Sequence, residues 1–126
     1  MSALYDSARQ GFLTGDIDWL VDDIRVVLVD SADYTFSAAH TALASVPVAG
    51  RVAVSGSLTG KTATAGVADA DDVSIAGVVG DSVEALVLYR HTDGALVAYI
   101  DGLSLTPNGG VVTISWDAGP NRIFKL

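Results

Sequence analysis

With no cysteine, 50% hydrophobic residues and 17% charged residues, this 126-residue chain must build its core without disulfides and is too apolar for intrinsic disorder. Net charge is −8, and the seven bases (Arg9, Arg25, Arg51, Lys61, Arg90, Arg122 and Lys125) are scattered singly, which excludes a surface that tracks nucleic-acid phosphates. The length suits one domain, the apolar runs are too short to span a bilayer, and the first residues lack the basic and apolar regions of a secretory signal, so a soluble protein made in the cytoplasm is expected.

The first segment reads as a short helix. Ser2 can cap it, Leu4, Ala8 and Phe12 recur four residues apart on one face, and Gly15 supplies a stop. Gly11 inside the segment weakens a helix by about 1 kcal/mol against alanine. Residues 16–20 alternate acids with large apolar groups and predict a turn that packs Trp19 onto the core. Residues 1–22 are thus a helix and arm, and residues 23–126 a β core.

Residues 24–29 are β-branched and nearly continuous, the pattern of a strand buried on both faces. Residues 37–45 are alanine-rich and fit one or two helical turns or a loop, after which Pro47 and Gly50 punctuate the chain. Residues 51–58 alternate as a strand with Val52, Val54 and Leu58 facing one way. Thr59 and Gly60 then turn the chain into residues 61–64. Asp69 to Asp72 form another turn, followed by a strand over 73–78. Residues 84–89 are the second strongly buried run, joined through a hairpin turn at 91–94 to a strand over 96–100. A turn at 107–110 leads into 111–116, with Val112, Ile114 and Trp116 on one face, and 122–125 close the chain at an edge. Regular short strands separated by turn residues predict a mainly β fold, a single-domain β-sandwich or open barrel with a short N-terminal helix.

Residues that could carry chemistry are few. His40 and His91 both fall in loops, and no Gly-x-Ser-x-Gly elbow accompanies them; residues 54–57 lie in a strand pattern with no helix following. Residues 56–62 end like a phosphate-binding loop, but Ser55 stands where its first glycine belongs, so a hairpin turn is expected there. Asp69, Asp71 and Asp72, and Asp16, Asp18, Asp22 and Asp23, could offer oxygens to Ca²⁺. The EF-hand spacing is missing, however, and aspartate belongs in turns by bonding its own backbone. No catalytic residue, metal or cofactor is therefore assigned. Tyr34 and Phe36 lie in an apparent loop, where they either serve a protein interface or anchor the loop.

The order of segments is similar to that of a known family. The opening residues Tyr5 to Leu13 and Gly15 to Trp19, the strand Asp23 to Asp30 with Asp33-Tyr34-Thr35, and Leu58 to Thr62, Asp71-Asp72-Val73 and Ala85 to Tyr89 carry the likeness. Ala98 to Asp101, Pro107 to Gly110 and Thr113 to Trp116 complete it over nearly the whole chain. In this order they resemble small structural proteins of tailed phages, the head decoration (cement) proteins. The resemblance implies a non-enzymatic virion protein that binds the major capsid protein on the outer surface of the head. A homo-oligomer is expected with it, a trimer at three-fold or quasi-three-fold positions, while the scattered bases and short apolar runs argue against contact with nucleic acid or membrane. Leu4, Tyr5, Phe12, Tyr34 and Phe36, which lie outside the strongest strand patterns, are the expected interface. A ring-forming tail or head–tail connector protein and a glycan-binding virion domain are the alternatives.

Overall fold

The computed structural model describes residues 2–116, 119 and 123–126. The fold is mainly β, built from several antiparallel sheets and one short helix. Its largest sheet has five strands: β1 (Ser2–Leu4), β2 (Ile24–Val29), β3 (Arg51–Val54), β7 (Val83–Arg90) and β8 (Leu96–Leu105), in the order β1-β8-β7-β2-β3. A second sheet orders β10 (Phe124–Lys125), β5 (Val67–Asp69) and β4 (Thr62–Thr64), and a third pairs β6 (Val73–Ile75) with β9 (Val112–Ile114). Among the described residues no sheet closes on itself, which removes the barrel and leaves a sandwich-like arrangement of open sheets.

The two strongest apolar runs form the centre of the large sheet. Val27 pairs with Val87, which pairs with Tyr99; one residue along, Val26, Leu88 and Ala98 make the next row. Successive side chains point to opposite faces, and both rows are buried, so both faces of these strands are covered. The Tyr99 ring stacks on Phe36 at 4.8 Å, which places the 30–46 loop over one face. One buried cluster joins these rows to Trp19, Ala68, Val73, Ile75 and Phe124 from the smaller sheets and their connections.

The N-terminus departs from the sequence expectation. Residues 2–4 are a strand, with Leu4 opposite Ala98, so the N-cap position falls at Tyr5 and not at Ser2. The helix α1 runs from Asp6 to Thr14 with Tyr5 at its N-cap and no side-chain cap bond, and Gly15 ends it at φ +78°, as the sequence suggests. The edge of β8 needs a partner, and three extended residues supply one before the helix begins. Gly11 is explained by close packing: a Cβ there would sit 2.8 Å from the Ile17 side chain. Leu4, Tyr5, Ala8, Ile17 and Trp19 belong to the same core as β2 and β7, so the segment from Leu4 to Trp19 packs as part of the framework.

Other boundaries shift for similar reasons. β3 stops at Val54 because Ser55 turns inward: its Oγ accepts the Val26 N–H at 2.9 Å and donates to Gly56 O at 2.8 Å. Leu58 is buried while Val54 is exposed, so the alternation expected over 51–58 does not hold. The turn at Gly60 joins β3 to β4 in a different sheet, so it is a crossover and not a hairpin. Glycine suits the position because φ is +61°, and a Cβ there would also push the Asp71 carboxylate aside. The strand β5 has no counterpart in the sequence reading. Trp19 locks it to β4 by directing its indole N–H at Thr62 O (3.0 Å) and Asp69 O (3.3 Å). The 91–94 turn is a true hairpin, closed by Arg90 N–H to Ala95 O at 2.8 Å. Of the closing segment, Arg122 lies outside the described residues.

Candidate partner interface

Tyr5, Tyr34 and Phe36 come together, but inside the molecule. The Tyr5 and Tyr34 hydroxyls are 2.8 Å apart, and Tyr34 Oη lies 2.9 Å from His40 Nδ1. Tyr5 tilts against Phe36 at 5.2 Å, and Tyr34 meets Tyr99 edge-on at 6.1 Å. Burial, then the bond to Tyr34, pushes the Tyr5 phenol far above its ordinary range, and burial also raises Tyr34. The nest ties the N-cap of α1 and the 34–40 loop to β8. Loop anchoring, one of the two readings of Tyr34 and Phe36, is therefore realised. Tyr5 is 0% exposed, Tyr34 4% and Leu4 5%, so these three, expected at an interface, face inward in the folded chain.

Phe12 and Phe36 remain half-buried. Phe12 packs inward on Phe124 at 5.8 Å, and Phe124 meets Trp19 edge-on at 5.2 Å. Its outer side lines an open apolar pocket of about 280 Å³ with Arg9, Leu13 and Leu126. Leu13 is 88% exposed, the most exposed large apolar side chain described. The helix thus buries Ala8 and Gly11 and leaves Arg9, Phe12 and Leu13 as a small apolar surface with one cation. Sequence periodicity had put Phe12 on the inner face; Leu13 carried no signal, because a single leucine on the polar side of a short helix is ordinary.

The polar groups are held by neighbours. His40 and His91 each use Nδ1 to meet a tyrosine hydroxyl, Tyr34 for the first and Tyr89 (3.0 Å) for the second. Arg90 is the electrostatic hub of the acidic segment after α1. It reaches Asp93 at 2.7 Å, Asp16 at 3.2 Å and Asp22 at 3.3 Å, and donates to Asp16 O at 2.7 Å. These bonds hold the Asp93 carboxyl below its usual range. Asp18 bonds the backbone N–H groups of Leu20 and Val21, so this set is a turn-building arrangement. Asp23 is held at about 2 by Arg25 first and Ser57 second. Asp71 instead packs on Gly60 and Thr59.

A third acidic group was not apparent in the sequence. Asp30, at the end of β2, meets Asp33 and Asp81 with carboxylate oxygens within 4.8 Å of one another, a spacing a cation could bridge. Ala32 N–H pulls the Asp30 carboxyl down, but burial, Glu84 and Asp33 outweigh it and leave it raised. Glu84 is held low by Ser82, then by Ser31, whose N–H it accepts at 3.0 Å. No protein-family model, no curated protein and no solved structure matches this chain.

Proposed function

We propose that the chain is a non-enzymatic virion component of a tailed phage, a head decoration (cement) protein that binds the outer surface of the capsid. The observation that carries this reading is the ordered likeness of its segments, from Tyr5 to Trp116, to that family. In the fold those segments include most of α1, all of β2, the centres of β7 and β8 and most of β9, together with several of the turns between them. Two features support it. The histidines and Ser55 are engaged in local bonds that build loops and strand ends. The outer side of α1 joins the apolar Phe12 and Leu13 to the cation Arg9, in a chain that is otherwise acidic.

The mechanism is adhesive. Packed DNA presses capsomers apart, and a clamp spanning neighbouring copies of the major capsid protein opposes that separation. About 800 Å² per partner suffices for specific docking, and many copies multiply the effect. The protein acts as a homo-oligomer, with a trimer suited to three-fold positions, and is made in the host cytoplasm before joining the virion.

The test is occupancy on heads that lack the protein, measured by co-sedimentation. Leu13→Asp, which alters an exposed position, is expected to lower occupancy by about tenfold or more, as a charge set into an apolar contact should. Occupancy equal to that of the unaltered protein would contradict the role of α1, and no binding of the unaltered protein would contradict the reading itself.

A further inference from the structure

Charge is distributed unevenly along this acidic chain. Residues 73–80 and 102–116 contain no Asp, Glu, Lys, Arg or His, although the chain carries 15 acids and seven Lys and Arg. The fold brings these stretches together. Val73, Ser74 and Ile75 pair with Ile114, Thr113 and Val112. The flanking turns are stitched by Val78 N–H to Gly110 O at 3.1 Å and Gly109 N–H to Val78 O at 2.7 Å. Val73 and Ile75 are buried in the core, while the Ser74 and Thr113 hydroxyls meet at 3.2 Å on the exposed side. The turns present Val79 and Val111, each 66% exposed. Val52 Cγ1 lies 3.8 Å from where a Cβ of Gly80 would be, so this lobe abuts β3. β3 is an edge strand of the large sheet, and its Val54 is exposed.

We infer that this uncharged lobe, together with the adjoining edge of β3, is the surface on which copies of this chain meet. Two copies carrying −8 each repel wherever carboxylates face one another. Charges closer than about 10 Å at 0.1 M salt are poorly screened, so close approach needs a surface without them. A basic partner gains nothing from an uncharged lobe and selects the acidic surfaces instead, which leaves a second copy as the fitting occupant. Specific docking takes about 800 Å² per partner, roughly an eighth of the 6282 Å² surface. The exposed Asp71, Asp72 and Asp81 flank the first stretch in sequence and bring carboxylates close to its ends. These carboxylates on both copies oppose association until salt screens them, so self-association tightens as salt rises. The inference supplies the surface for the homo-oligomer named in the shell-binding reading, and rests on that reading only there.

Sedimentation velocity of the full chain without heads tests it. The expected result is concentration-dependent association that is tighter in 0.5 M than in 0.05 M NaCl, on the order of severalfold given the screening lengths. Val79→Asp/Val111→Asp is expected to weaken association by about tenfold or more, with unchanged circular dichroism, and Val111→Asp alone by less. Leu13→Asp should associate as the unaltered protein does. A monomer at every concentration and salt, an undiminished Val79→Asp/Val111→Asp assembly, or association that weakens with salt would overturn the inference. Because no heads are used, such a failure leaves single-copy binding to the shell standing, and failure of shell binding leaves self-association standing.

Discussion

The centre of the large sheet and the β6–β9 lobe draw on the same small β-branched residues, yet they differ in what surrounds them. In β2 and β7 the apolar residues are nearly continuous, broken only by Arg25 and Glu84 at the second position of each strand, and every valine and leucine is buried. In β6 and β9 apolar residues alternate with Ser74 and Thr113, and Val79 and Val111 at the turns stay in solvent while Val78 is buried. A sheet covered on both faces requires continuous apolar runs, whereas a two-stranded ribbon has one inner face only. The difference teaches that apolar content alone does not locate the core. Continuity along the strand does, and what is left over on the ribbon is surface available for contact.

The largest test of that contrast is Leu88→Ala. Leu88 is fully buried between Val26 and Ala98, and its truncation should cost about 2–5 kcal/mol by urea unfolding, the range for a leucine removed from a packed core. Tyr34→Phe comes next. It leaves the buried Tyr5 hydroxyl without its partner and should cost about 1–3 kcal/mol. The pair Tyr5→Phe/Tyr34→Phe should cost less than the sum of the single changes, since no orphaned hydroxyl remains.

Acid should loosen the ends of the central strands before their middle. Asp23, beside Arg25 at the start of β2, and Asp93, beside Arg90 after β7, both titrate below their ordinary value in the folded chain. Their stabilising share is complete above the unfolded carboxylate pKa of about 3.9. It is lost as pH falls through the folded values, towards about 2 for Asp23. The melting temperature should therefore fall between those limits, and Asp93→Asn should make the fall shallower. Asp30 has the opposite sign: its raised pKa contributes stability at low pH that disappears as pH rises through its folded value. Asp30→Asn, which keeps an acceptor for the Ala32 N–H, should raise the melting temperature at pH 7. The smallest effect belongs to the lobe, where Val111→Ala should change stability by no more than about 0.5 kcal/mol.

These contrasts also explain what the sequence reveals. The bounds of β2 are legible because its apolar run is nearly continuous and is flanked by Asp23 and Asp30. β7, the hairpin at 91–94 and the Gly15 stop are legible for similar local reasons. The strand nature of residues 2–4 is not, since it depends on the distant edge of β8. Nor is β5, three residues whose identity rests on Trp19 reaching back to Asp69 O. The aromatic loop misleads most: Tyr34 looks available because its neighbours are polar and small. Its hydroxyl is claimed by Tyr5, a residue 29 positions away. The Asp30, Asp33 and Asp81 group arises the same way, from a fold that brings the end of β2 against the residues before β7.

The central claim, that this is a clamp on the outside of a phage head, is tested most directly by electron cryomicroscopy of heads lacking the protein, mixed with the purified chain. The account predicts ordered density on the outer shell between capsomers, with α1 against the major capsid protein. A bare shell, with the protein found at the portal or tail, would contradict it.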